Sequence, residues 1–163
     1  MIMKSLVVYS SKSGNTKKLA DAVYNHLSGE KEICAVADAP DPAGYSFVAA
    51  GFWLQAGQPD PDSQAFLAKI EEGQDLYLFA THGAATGSPH AENAMNAAKA
   101  IAAKGHVIAT FSCPGQVPEK VLEMAGKKDP QPPWLADAPA AVGHPDETDV
   151  KNVVRLLEEL DLP

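Results

Sequence analysis

Apolar residues gather in five short continuous runs, Leu6–Tyr9, Ile33–Ala37, Phe47–Ala50, Leu76–Ala80 and Val107–Phe111, each bounded by polar or glycine-containing turns. Uninterrupted runs of this length suit strands covered on both faces, the setting of a parallel sheet with helices above and below. Between them the period becomes helical. Leu19, Ala20, Val23 and Leu27 form one stripe, and Val150, Val153, Val154, Leu157 and Leu160 another. Asp62 or Ser63 is placed to cap a helix carrying Phe66, Leu67 and Ile70, and Ser88-Pro89 to open one carrying Ala91, Met95, Ala98 and Ile101. The predicted order is strand, helix, strand, strand, helix, strand, helix, strand, helix.

Two stretches depart from this rhythm. Asp38–Tyr45, with Pro40, Pro42 and Gly44, is too short for a helical crossover. Eight extended residues reach about 27 Å, enough to return along a strand and cross the sheet, so a crossover without a regular helix is expected. Prolines at 114, 118, 130, 132, 133, 139 and 145 exclude a long regular element between Ser112 and Pro145. A short helix fits Glu119–Met124, and Trp134 predicts that part of the segment packs down, although the segment as a whole reads as peripheral.

The 163 residues fit one domain, 1–163, with no internal repeat. Apolar residues at 45% and charged residues at 21% are those of an ordinary globular chain. Thirteen Lys and Arg against 21 Asp and Glu give a net charge of −8, which argues against a nucleic-acid partner. The first apolar run is too short for a signal-peptide core or a membrane span, so a cytoplasmic protein without a membrane partner is expected. Cys34 and Cys113 lie in separate apolar segments without metal-ligand or disulfide spacing, and Cys113 reads as a packing residue.

The chemistry-bearing motif is Ser10-Ser11-Lys12-Ser13-Gly14-Asn15-Thr16, between the first strand and the first helix. A helix start offers unpaired N–H groups and the positive end of a dipole, so an anion is held there without a cationic side chain. Hydroxyls of Ser10, Ser11, Ser13 and Thr16 add donors, and Gly14 lets the backbone close round the oxygens. A capped strand–helix junction would have the same composition. The chain lacks both the P-loop pattern of nucleoside triphosphatases and the dinucleotide-binding glycine pattern, leaving a monophosphate on neutral donors.

With Val7-Val8-Tyr9 before this loop and Ala20 and Val23 after it, the segment resembles the flavodoxins. The resemblance implies a flavodoxin-like doubly wound α/β fold, a five-stranded parallel sheet in the order 2-1-3-4-5 with helices on both faces. It also implies a non-covalent FMN whose phosphate sits on residues 10–16; flavodoxin is itself the standard example of that order with FMN at the switch point. Ring-binding loops are then expected after the third strand, at Gly51, Phe52, Trp53 and Leu54, and after the fourth, at Thr81, His82, Gly83 and Ala84. Trp53 is the candidate flavin-facing aromatic, with plugging of the core end as the other reading of Trp53 or Phe52. Small residues at 83–84 would admit the pyrimidine edge, and His82 is either part of that loop or an ordinary solvent-facing residue. The combination of Gly51-Phe52-Trp53 with Gly57-Gln58-Pro59-Asp60, Cys113-Pro114-Gly115-Gln116-Val117-Pro118, and His144-Pro145-Asp146-Glu147 with Asp149 is similar to the BilS type within that family.

The function so implied is electron transfer between redox partners, with the cofactor doing the chemistry and no catalytic side chain. An FMN-dependent NAD(P)H:quinone-type reductase on the same fold is the alternative, and a flavin-free interaction module the third reading.

Overall fold

The computed structural model describes residues 3–160 and 162. Five parallel strands, β1 (Lys4–Tyr9), β2 (Glu30–Ala35), β3 (Phe47–Gln55), β5 (Asp75–His82) and β6 (His106–Pro114), lie in the order β2-β1-β3-β5-β6. Counted along the chain without the short β4 (Gln58–Pro59), this is 2-1-3-4-5, as expected. β4 pairs antiparallel with the end of β3, Leu54 opposite Pro59 and Gln55 opposite Gln58. The segment after Ala50 is therefore not a free loop: β3 continues for five more residues and folds back as a hairpin.

Side chains alternate across the sheet and build two cores. Leu6, Val8, Val48, Ala50, Phe52, Leu76, Leu78 and Ala80 pack beneath α2 (Pro61–Leu67) and α3 (Pro89–Ile101). Val7, Phe47, Ala49, Tyr77 and Phe79 face α1 (Asn15–His26) and α5 (Glu147–Glu159) through Leu19, Val23, Val153 and Leu157. Each large side chain so buried contributes roughly 1.5–3 kcal/mol, and a register slip of one residue would exchange the two faces. Gly51 is a packing requirement of this sheet, because a Cβ there would stand 2.2 Å from Cε2 of Phe79, its neighbour on β5.

The crossover from β2 to β3 contains only two 3₁₀ turns, Val36–Asp38 and Pro42–Gly44. Helix α2 starts earlier than expected: its cap is Asp60, with Pro61 at the first helical position, and not Asp62 or Ser63. Ser88 caps α3 through Ala91 N–H, with Pro89 next. The Pro-rich segment holds α4 (Glu119–Gly126) and a 3₁₀ stretch, Pro133–Ala141. It is not peripheral, since Trp134 lies against Gly83 and Asp137 accepts a hydrogen bond from Ala85. None of the described helices is long and apolar enough to cross a membrane.

Candidate functional site

The carboxyl ends of β1, β3, β5 and β6 meet the start of α1, and nearly all the residues singled out above gather there. Gly14 caps α1 at φ 91°, a left-handed conformation that costs an L-residue roughly 1–2 kcal/mol. Its N–H donates to Ser11 Oγ at 3.1 Å, folding the loop back on itself. The first regular helix bond of α1 runs from Lys18 N–H to the Gly14 carbonyl. The N–H groups of Asn15, Thr16 and Lys17 precede it and have no partner in the helix. Ser13 and Gly14 are exposed, Ser11 is half-buried, and no acidic residue stands in the first turn. This end of α1 has open donors and a favourable dipole for an anion.

Other loop residues are committed to the scaffold. The Ser10 hydroxyl donates to Asp60 Oδ2 at 2.7 Å and accepts the Trp53 indole N–H at 3.2 Å, while its backbone N–H donates to the Gly51 carbonyl. Asn15 Nδ2 donates to the Gln116 carbonyl at 3.0 Å, holding the loop to the end of β6. The Thr16 and Thr81 hydroxyls lie 2.9 Å apart and buried. One proton makes their mutual bond, which leaves the other available to a ligand oxygen.

Asp60, 1% exposed, is a hub whose role the motif containing it does not disclose. Its side chain accepts from the Ser10 hydroxyl and from the N–H and hydroxyl of Ser63, and its own N–H donates to the Trp53 carbonyl. The Asp-Pro pair at a helix start was the signal that could have found it. Through this hub the Trp53 indole is fixed edge-on to Ser10, half-buried at the rim, with Lys12 Nζ 4.6 Å from the ring centroid. That exposed cation–π contact is worth about 0.5–1 kcal/mol, so a stacking ligand would displace it at little cost. Phe52 is fully buried and Leu54 packs against the same core, so Trp53 is the aromatic of this strand end that a ligand could reach.

After β5 the structure corrects the solvent-facing reading of His82, which is 5% exposed. Its Nδ1 lies 2.7 Å from the Ala84 carbonyl, so Nδ1 carries the proton and Nε2 presents a bare lone pair. Nε2 is buried and has no partner among the described residues. Burial pushes the imidazole below its ordinary pKa against the opposing Ala84 hydrogen bond, with His90 adding to the fall. Gly83 is pressed between two side chains: a Cβ there would meet Val117 Cγ2 at 2.9 Å and Trp134 Cε3 at 3.0 Å.

On the β6 side a pocket of about 460 Å³ borders the loop 10–16, lined among others by Ser13, Asn15, Lys18, Gln116, Val117 and His144. Lys18 Nζ donates to the Pro145 carbonyl, and His144 Nδ1 pairs with Asp149 at 2.6 Å. Asp146 and Asp149 form a reciprocal capping box at the start of α5, and the Asp149 N–H holds the Asp146 carboxyl below its usual range. Cys113 is buried beneath the site, and burial raises its thiol far above the ordinary value, as a packing residue requires.

The profile of the flavodoxin domain family matches residues 6–158. The flavodoxin-like domain-containing protein BilS of Clostridioides difficile (strain CD3) is 29% identical over 160 residues, covering 91% of this chain and 90% of its own. Among solved structures, a flavodoxin of Streptococcus pneumonia TIGR4 superposes with a TM-score of 0.65 at 12% identity, over 96% of each chain. A flavoprotein of Lactobacillus acidophilus NCFM, solved in complex with FMN, does so with a TM-score of 0.55 at 16% identity, over 68% of this chain and 93% of that one.

Proposed function

This chain belongs to the flavodoxin domain family, with relatives of the BilS type, and we propose that it binds one FMN non-covalently and passes electrons to or from a redox partner protein. The observation that carries the reading is the open end of α1, where free N–H groups and the hydroxyls of Ser11 and Ser13 converge with no acidic residue in the first turn. One further feature fits the cofactor: the Thr16–Thr81 pair keeps one proton for a phosphate oxygen. Ser11, Ser13, Gly14, Asn15 and Thr16 would hold the phosphate, Trp53 would stack on the ring, and Thr81–Ala84 would take its polar edge. Bound FMN would supply one- and two-electron redox chemistry, and the chain's residues orient it and keep water from one face.

Residues 1–163 act in this reading as one cofactor domain. Two free thiols suit a reducing compartment, so we place the protein in the cytoplasm. Val121, Met124 and Val142, large apolar side chains left exposed on the Pro-rich segment, suit a protein partner.

Reconstitution of the purified chain with FMN tests the reading. Binding at 1:1 is expected, and Ser11→Ala or Thr16→Ala should weaken it about tenfold to a hundredfold, the value of one charge-assisted hydrogen bond. Unchanged affinity in both variants would put the phosphate elsewhere. Steady NAD(P)H oxidation with a quinone would make the protein a reductase instead of a carrier.

A further inference from the structure

We propose that Trp134, on the Pro-rich segment, forms a second aromatic wall of the cofactor site, and that Pro133–Ala141 is a strap holding it over Gly83–Ala85. The inference rests on the FMN reading above. In a 3₁₀ helix residues three apart share a side. Trp134 and Asp137 are so spaced, and both reach the loop after β5: the indole lies against bare Gly83, and Asp137 Oδ2 accepts the Ala85 N–H at 3.1 Å. Ala138 and Ala141, also three apart, are buried on an adjoining side of the strap.

The strap is stiffened on entry and anchored at its exit. Pro132 and Pro133 fix the backbone on entry, and the Leu135 N–H donates to the Pro132 carbonyl. At its exit the Gly143 N–H donates to Gln116 Oε1 and the Gln116 N–H to the His144 carbonyl. The Gln116 carbonyl in turn accepts from Asn15 of the phosphate loop. One residue of the β6 end thus joins the strap to the loop proposed for the phosphate. Gly83 has no side chain to fill the strap's contact, and the loop Gly83–Ser88 contains no aromatic of its own. Trp134 is only half-buried by the protein. A flat indole, partly uncovered and braced on the site's glycine loop, is suited to the face of a planar ring.

The emission of bound FMN tests this, because an indole in van der Waals contact quenches flavin fluorescence by electron transfer and a distant one does not. The full chain is loaded with FMN as wild type, Trp53→Phe, Trp134→Phe and the double variant. Quenching is expected to persist in each single variant and to be lost only in the double one. Trp134→Ala and Asp137→Ala should both weaken FMN binding, the former roughly tenfold. Bound FMN should slow trypsin cleavage at the exposed Lys127 and Lys128 before the strap. Full emission in Trp53→Phe alone, with unchanged affinity in Asp137→Ala, would reduce Trp134 to a plug on Gly83 and overturn the proposal while leaving FMN binding intact. Failure of the wild-type chain to bind FMN would remove the functional reading itself, and the strap's role with it.

Discussion

Replacement of Asp60 by alanine probes whether its buried hydrogen bonds hold the site together. The substitution removes the cap of α2, about 1 kcal/mol. It also takes the acceptor from the hydroxyls of Ser10 and Ser63, bonded at 2.7 and 2.8 Å, each about 1 kcal/mol. The Trp53 N–H at 3.4 Å adds little. A loss near 3 kcal/mol follows, or about 6–12 °C in Tm for a chain of this length. Urea unfolding followed by circular dichroism measures it. Trp53 emission in a Trp134→Phe background reports the local effect, because loss of Asp60 frees Ser10 and hence the indole N–H it holds. Asp60→Asn keeps one acceptor oxygen and should lose about a third as much. Ser10→Ala should couple non-additively with Asp60→Ala, since both remove the same bond. A loss under 1 kcal/mol in Asp60→Ala, with unshifted Trp53 emission, would mean that water replaces these bonds and that the hub does not position the site.

Further outcomes follow from individual residues. His82 resists protonation in the fold, so below its ordinary value of 6.5 the unfolded chain takes a proton that the folded chain refuses. Stability should therefore be independent of this group above pH 6.5 and fall as pH drops from there toward the lowered folded value. His82→Gln should flatten that part of the stability–pH curve, and an unchanged slope would exclude a buried neutral imidazole. Ala56 occupies a left-handed conformation at φ 53° in the two-residue turn joining β3 to β4, with Gly57 at φ 76°. Ala56→Asn or Ala56→Gly should raise stability by about 0.5–1 kcal/mol in denaturant titrations. Cys34, half-buried, should react with a thiol reagent in the native protein, whereas buried Cys113 should label only at the rate of global unfolding.

Local sequence was enough for the frame. Five apolar runs, two helical stripes and the Ser88-Pro89 cap each describe neighbours a few residues apart, and backbone propensity and periodicity act at that range. The donor-rich loop 10–16 was legible for the same reason, because its donors are consecutive and its place between strand and helix is set by the chain itself. What the sequence left open concerns partners far apart along it. Asp60 draws on Ser10, fifty residues away, and its Asp-Pro signal competed with equally plausible caps at Asp62 and Ser63. His82 reads as polar, yet the folded chain buries it with Nδ1 turned to a carbonyl two residues on. Trp134 announces only that something packs beneath it. That the surface beneath is Gly83, and not another part of the sheet end, depends on how Gln116 and Asp137 pin the Pro-rich segment. Such contacts gain free energy only when strands, helices and loops are already in place, so tertiary packing decides them and no window of sequence contains them.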